Sequence, residues 1–159
     1  MLLLRNADLY APAPVGRTDV LTAGGQIIRI EPRLQIPEHH SDVFDASDLV
    51  AMPGFVDGHV NMIGGGGEGG YLTRTPELSL SDAVRDAVAE EGVPLGTAPQ
   101  VVSWNPARFL TLREKGRLAA GADADLVLLD PGTLEIRGVI AKGRWLLKSG
   151  DVLAKGTFA

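Results

Sequence analysis

"VAMPGFVDGHVNMIGGGGEGG", residues 50–70, decides how the chain is read. It begins as two short β-prone runs split by Pro53-Gly54, a pair that interrupts regular structure. It ends in a tract where six of the seven residues 64–70 are glycine, a composition costly in backbone entropy to order. Between them stands His59. On a strand alternate residues share a face, so Asp57, His59 and Asn61 project together.

A His-x-His pair at this place would offer two imidazoles to one zinc ion. Here Asn61 occupies the second position, and a neutral amide oxygen is a weak zinc ligand beside imidazole or carboxylate. A complete site would need His59 joined by Asp57, Glu68, or His39 and His40. Against this stands the plainer reading of His59 as a hydrogen-bonded histidine at a strand end. The adjacent His39 and His40 would point apart on an extended backbone, as an exposed loop pair. The glycine tract presents successive N–H groups that suit an anion, while Glu68 suits an ammonium group. An amino acid or peptide end fits both; a spacer fits as well. No Gly-Lys-Ser/Thr follows, so it is not a nucleotide phosphate loop.

Upstream, "TDVLTAGGQIIRIEP" reads as two strands joined at Gly24-Gly25, because paired glycines accept the positive φ of a tight hairpin turn. Residues 34–41 read as a surface loop. Downstream, Leu80, Ala83, Val84, Ala87 and Val88 follow helical spacing, with Gly92 as a stop. A second helical stretch starts near Thr97, restarts at Asn105-Pro106 and runs to Leu112. From Ala124 the pattern returns to strands, with tight turns at Lys142-Gly143 and Ser149-Gly150. "DAD" at 123–125 reads as a turn into a strand rather than a cation site.

The 159 residues amount to one domain, 45% apolar and 22% charged, the composition of a globular protein. A net charge of −5 argues against nucleic acid or an anionic membrane as partner. The absence of cysteine removes disulfides and thiolate sites and fits a cytoplasmic location. "MLLLRNADLY" is too briefly apolar for a signal peptide or a membrane span. The serines lack a Gly-x-Ser-x-Gly setting, so no nucleophile constellation emerges.

"PGFVDGH", the Gly-rich loop with Glu68, and "TRTPE" at 73–77 resemble the isoaspartyl dipeptidases, metal-dependent members of the amidohydrolase superfamily. "NPARFLTLREKGRLAAGADADLVLLD" and the ending "KGTF" resemble the same branch, so the likeness covers residues 1–78 and 79–159 in two blocks. A (β/α)₈ barrel takes about 250 residues, and almost nothing lies between the blocks. The resemblance implies zinc as cofactor, His59 as a metal ligand with Asn61 in place of the second, and Gly66 and Glu68 as contacts to a dipeptide. It supplies no catalytic residue in this chain.

The expected fold is mainly β with a few helices (α+β). Residues 1–56 and 122–159 form a composite β-sandwich-like domain, and 57–121 carry the Gly-rich loop and a helical remnant of a barrel. The expected function is that of a truncated isoaspartyl dipeptidase-like amidohydrolase, non-catalytic by itself, acting as a structural or association module. Two alternatives are a zinc hydrolase of β-aspartyl dipeptides completed by another subunit or chain, and a binder of amino acids or peptide termini. A homo-oligomer is expected, because apolar faces such as 80–88 need cover.

Overall fold

Gly24 and Gly25 take φ of 59° and 85°, and the turn they make joins β2 (Pro14–Ala23) to β3 (Gln26–Glu31). The hairpin read from the glycine pair is present. The computed structural model describes residues 1–37, 40–57 and 80–154. In chain order the other strands are β1 (Leu2–Tyr10), β4 (Asp42–Asp45), β5 (Val50–Pro53), β6 (Leu126–Leu129), β7 (Ile136–Ala141), β8 (Arg144–Lys148) and β9 (Asp151–Val152). Among the described residues all nine form one mixed sheet in the order β3-β2-β1-β5-β6-β7-β8-β9, with β4 parallel to the first half of β1.

The two ends of the chain meet at β5 and β6. These strands pair antiparallel from Val50↔Leu129 to Pro53↔Leu126, and every residue of both is buried. Strands covered on both faces read as unbroken apolar runs, as "VAMP" and "LVLL" do. The mainly-β fold with a few helices is therefore as the sequence indicates. Its sandwich-like character takes the form of one sheet folded back on itself: Gln26 bridges to Asp123, and the Phe44 and Trp145 rings meet edge-on at 4.9 Å. The core between the halves joins Leu4, Leu9, Val20 and Ile27 to Leu126, Leu128 and Ile140. Lys142-Gly143 and Ser149-Gly150 all have positive φ and turn the chain as expected.

Leu34 departs from the surface-loop reading of 34–41. It is buried against Leu3 and Leu21, and its N–H donates to Asp19 Oδ2 at 2.8 Å. The same carboxylate accepts from Asn6 N–H at 2.9 Å and from Arg5 Nη1 at 2.7 Å. A buried acid with three donors pins a segment that local composition marks as free.

The helical part also differs in detail. Helix α1 (Leu80–Ala89) follows the apolar spacing, and Gly92 beyond it has φ 69°. Its Val84 is buried against Ala98 and Val102, with Phe55 and Val88 packed alongside. At Val84 and Val88 this face finds cover within the chain. The second stretch is not one helix: a 3₁₀ turn (Leu95–Thr97) leads to a π-helical turn (Gln100–Trp104) and then α2 (Asn105–Phe109). Pro94, Pro99 and Pro106 each lack an N–H, which breaks the regular ladder. The helix ends at Phe109 rather than Leu112, because Thr111 turns with φ 58°.

Candidate functional site

Beyond β5 the described residues 54–57 are not strand, so the second run expected after Pro53-Gly54 does not begin there as one; this segment is held from two sides as it leaves the sheet. The Pro53 carbonyl accepts a buried hydrogen bond from Ser103 Oγ at 3.2 Å. Gly54 N–H donates to the Asp125 carbonyl at 2.9 Å, and Val56 N–H to the Val102 carbonyl at 2.9 Å. A side chain on Gly54 would press its Cβ to 3.1 Å from that of Asp125. Residues 53–56 are thus clamped between the π-helical turn and the start of β6.

Of the residues singled out from the sequence, His59, Asn61, Gly66, Glu68 and His39 lie outside the described residues. His40 N–H donates to the Pro37 carbonyl at 3.0 Å. Among the described residues no three His, Asp or Glu side chains converge as a metal site. The donors that the resemblance implies for zinc are therefore not among the described residues.

Behind the clamp sits a charged cluster that the reading of "DAD" passed over. Lys115 Nζ lies 2.9 Å from Asp123 Oδ2 and 2.5 Å from Asp125 Oδ2. Lys142 Nζ reaches Asp123 Oδ1 at 3.2 Å, and Lys142 N–H donates to Asp125 Oδ1 at 2.7 Å. The motif does hold a cation, and the cation is the chain's own ammonium. The hydrogen bond from Lys115 is the main influence on Asp123, and together with Lys142 it lowers that carboxyl below its ordinary range against the opposing effect of burial. Burial works against the charge of Lys115, but Asp123 and Asp125 outweigh it and raise its pKa. Lys115 also borders a cavity of about 410 Å³ with Phe55, Val56, Asp125, Val127 and Val139 in its walls. Walls that are chiefly apolar, with one neutralised ammonium, suit packing more than bond cleavage.

A second basic feature goes unmarked in a sequence reading that finds no basic cluster. Residues 104–117 contain Arg108, Arg113, Lys115 and Arg117 with Glu114 as the sole acid, in a chain of net charge −5. In space these four cations border one pocket with Trp104 and Thr111.

The amidohydrolase family profile matches residues 63–146, more than half of the chain. A dihydroorotase of Mycobacterium leprae is 31% identical over 82% of this chain and 35% of its own length. An allantoinase of Deinococcus radiodurans is 41% identical over 35% of this chain and 12% of its own. The chain spans about a third of the length of the dihydroorotases it matches. Among solved structures, a β-aspartyl dipeptidase from Fervidobacterium islandicum superposes with a TM-score of 0.74, covering 98% of this chain and 99% of that one at 16% identity, a likeness of fold. With the glycine-clamped strand exit and the two-ended sheet in place, the chain belongs to the amidohydrolase family.

Proposed function

We propose that this chain is an isoaspartyl dipeptidase-like amidohydrolase module that does not catalyse by itself and serves a structural or associative role through its β domain. The observation carrying the dipeptidase-like part of this reading is the likeness of fold to the β-aspartyl dipeptidase across 98% of the chain. It is supported by the cluster beside the strand exit, where Lys115, Asp123 and Asp125 neutralise one another. The family chemistry would be supplied by zinc as a Lewis acid, and His59 is the one imidazole that the motif offers it. We further propose that the module forms homo-oligomers in the cytoplasm, which sedimentation velocity and fractionation test.

The test of function is zinc per chain in untagged protein, paired with hydrolysis of β-Asp-Leu. The reading expects substoichiometric zinc indifferent to His59→Ala and no turnover. The second reading, a zinc hydrolase of β-aspartyl dipeptides completed by another subunit or chain, draws on a related dipeptidase solved with β-Asp-Leu dipeptide. One or more zinc equivalents and turnover, both lost in His59→Ala, would replace the first reading with it. The third reading, a binder of amino acids or peptide termini at Gly66 and Glu68, expects ligand stabilisation without turnover that Glu68→Ala abolishes.

A further inference from the structure

We propose that the pocket between α2 and the turn at residues 110–117 binds a small oxyanion, a carboxylate or a phosphate, carried on an apolar body. The pocket has a volume of about 360 Å³ and is bordered by Trp104, Arg108, Thr111, Leu112, Arg113 and Arg117. None of its lining residues is among those the sequence assigns to a metal or a dipeptide.

The charges around this pocket are not equally available. Lys115 is occupied by Asp123 and Asp125 at 2.9 and 2.5 Å. Arg117 is drawn to Glu114 at 3.5 Å and lies against the Arg113 carbonyl at 3.4 Å. Arg108 lies over the Trp104 ring, its guanidinium carbon 5.8 Å from the ring centre. Among the described residues no carboxylate pairs with Arg108 or Arg113. Two exposed guanidinium groups therefore border one concavity without a counter-charge in a chain whose overall charge is −5. A guanidinium presents paired donors that match the two oxygens of a carboxylate or phosphate.

The scaffold beneath these groups is tied down. Leu110 N–H donates to the Pro106 carbonyl at 2.9 Å, Leu112 N–H to the Ala107 carbonyl at 2.8 Å and Lys115 N–H to the Leu112 carbonyl at 3.2 Å. Gly116 packs directly on Ser103 and Ala107. Pre-ordering of this kind lowers the entropic cost of ligand binding. Trp104 and Leu112 add apolar surface to the lining, which favours an oxyanion with an attached apolar group over a bare one. Thr111, held at φ 58° at the pocket rim, adds a hydroxyl donor.

The experiment is a titration of the full ¹⁵N-labelled chain with phenyl phosphate, with benzoate and with benzyl alcohol, read at the Trp104 indole N–H resonance assigned through Trp104→Phe. A saturable shift with phenyl phosphate or benzoate, weak or absent with benzyl alcohol, is expected, and the stronger of the two acids identifies the preferred oxyanion. Arg113→Gln and Arg108→Gln should each weaken binding about tenfold. Arg113→Lys, which keeps the charge and the fold but loses the fork, should weaken it severalfold. No saturable shift with either acid, or binding unchanged in the folded Arg113→Lys and Arg108→Gln proteins, overturns the proposal.

Discussion

A β-carbon added to Gly116 would lie 2.5 Å from the carbonyl oxygen of Ser103. The same carbon would sit 2.6 Å from the Ala107 side chain, and Gly116 holds φ at 73°, where L side chains are strained. The loop after α2 thus passes over the helical backbone at a distance only glycine permits. Gly116→Ala combines overpacking with backbone strain and should cost about 3 kcal/mol. Urea denaturation checks this, and a loss below about 1 kcal/mol would mean that the loop moves aside freely.

The Lys115 cluster predicts unequal effects for its members. Asp123 is 9% exposed and faces two ammonium groups, so Asp123→Ala removes both pairs, leaves Lys115 with Asp125 alone and should cost about 2 kcal/mol. Lys115 is 36% exposed, and its removal leaves Asp123 with Lys142 and Asp125 with the Lys142 N–H. Lys115→Met should therefore cost under about 1 kcal/mol after solvent screening. The folded-state pKa of Lys115 is raised above its ordinary 10.5. Its contribution is complete below that value and fades as pH rises through the folded pKa. Wild-type stability should decline above pH 10.5 more steeply than that of Lys115→Met.

Asp19 governs the acid side. Burial alone would raise its pKa, but the hydrogen bonds from Leu34 and Asn6 and the Arg5 guanidinium together bring it below the ordinary 3.8. A depressed carboxyl contributes stability above its unfolded value and loses it as pH falls through the folded one. Stability should therefore be flat with respect to this group above pH 4 and fall steadily below it. Asp19→Ala breaks a buried pair and frees the N–H groups of Asn6 and Leu34, costing about 3 kcal/mol or more. Its acid limb should be shallower than that of the wild type.

How far the sequence carries the reader depends on the range of the interactions. The Gly24-Gly25 hairpin, the α1 periodicity and the turns at 142–143 and 149–150 rest on near neighbours, and each is visible in a short window. The pairing of β5 with β6 joins residues some 75 apart; that the two ends meet could be inferred from strands on both sides of the helices, but not which strands pair. Leu34 could not be placed, because its burial depends on a carboxylate 15 positions away, and nothing in "RLQIPE" signals that anchor. The π-helical turn arises from prolines acting together with packing on Pro53, a tertiary effect. Of the site, the clamp around residues 53–56 was legible as the Pro53-Gly54 break, whereas the destination of Lys115 was hidden because "DAD" shows its charges but not their partner.

Ser103 connects the helical segment to the strand exit, and its removal gives the sharpest test of that connection. The residue is fully buried, and its hydroxyl is donated to the Pro53 carbonyl at the last position of β5. In Ser103→Ala that hydrogen bond is lost and a void opens in its place, so stability should fall by about 1–2 kcal/mol. Ser103→Cys retains a weak donor and should recover part of the loss. Hydrogen exchange separates this local link from global stability. Val56 donates to the Val102 carbonyl beside the lost bond, so its amide should exchange faster in Ser103→Ala by more than the global change predicts, while the amides of β2 follow the global value. Equal acceleration at Val56 and β2 would mean that the clamp has no independent existence. Selective acceleration at Val56 would make Ser103 the residue that fixes residues 54–56 as the chain leaves β5.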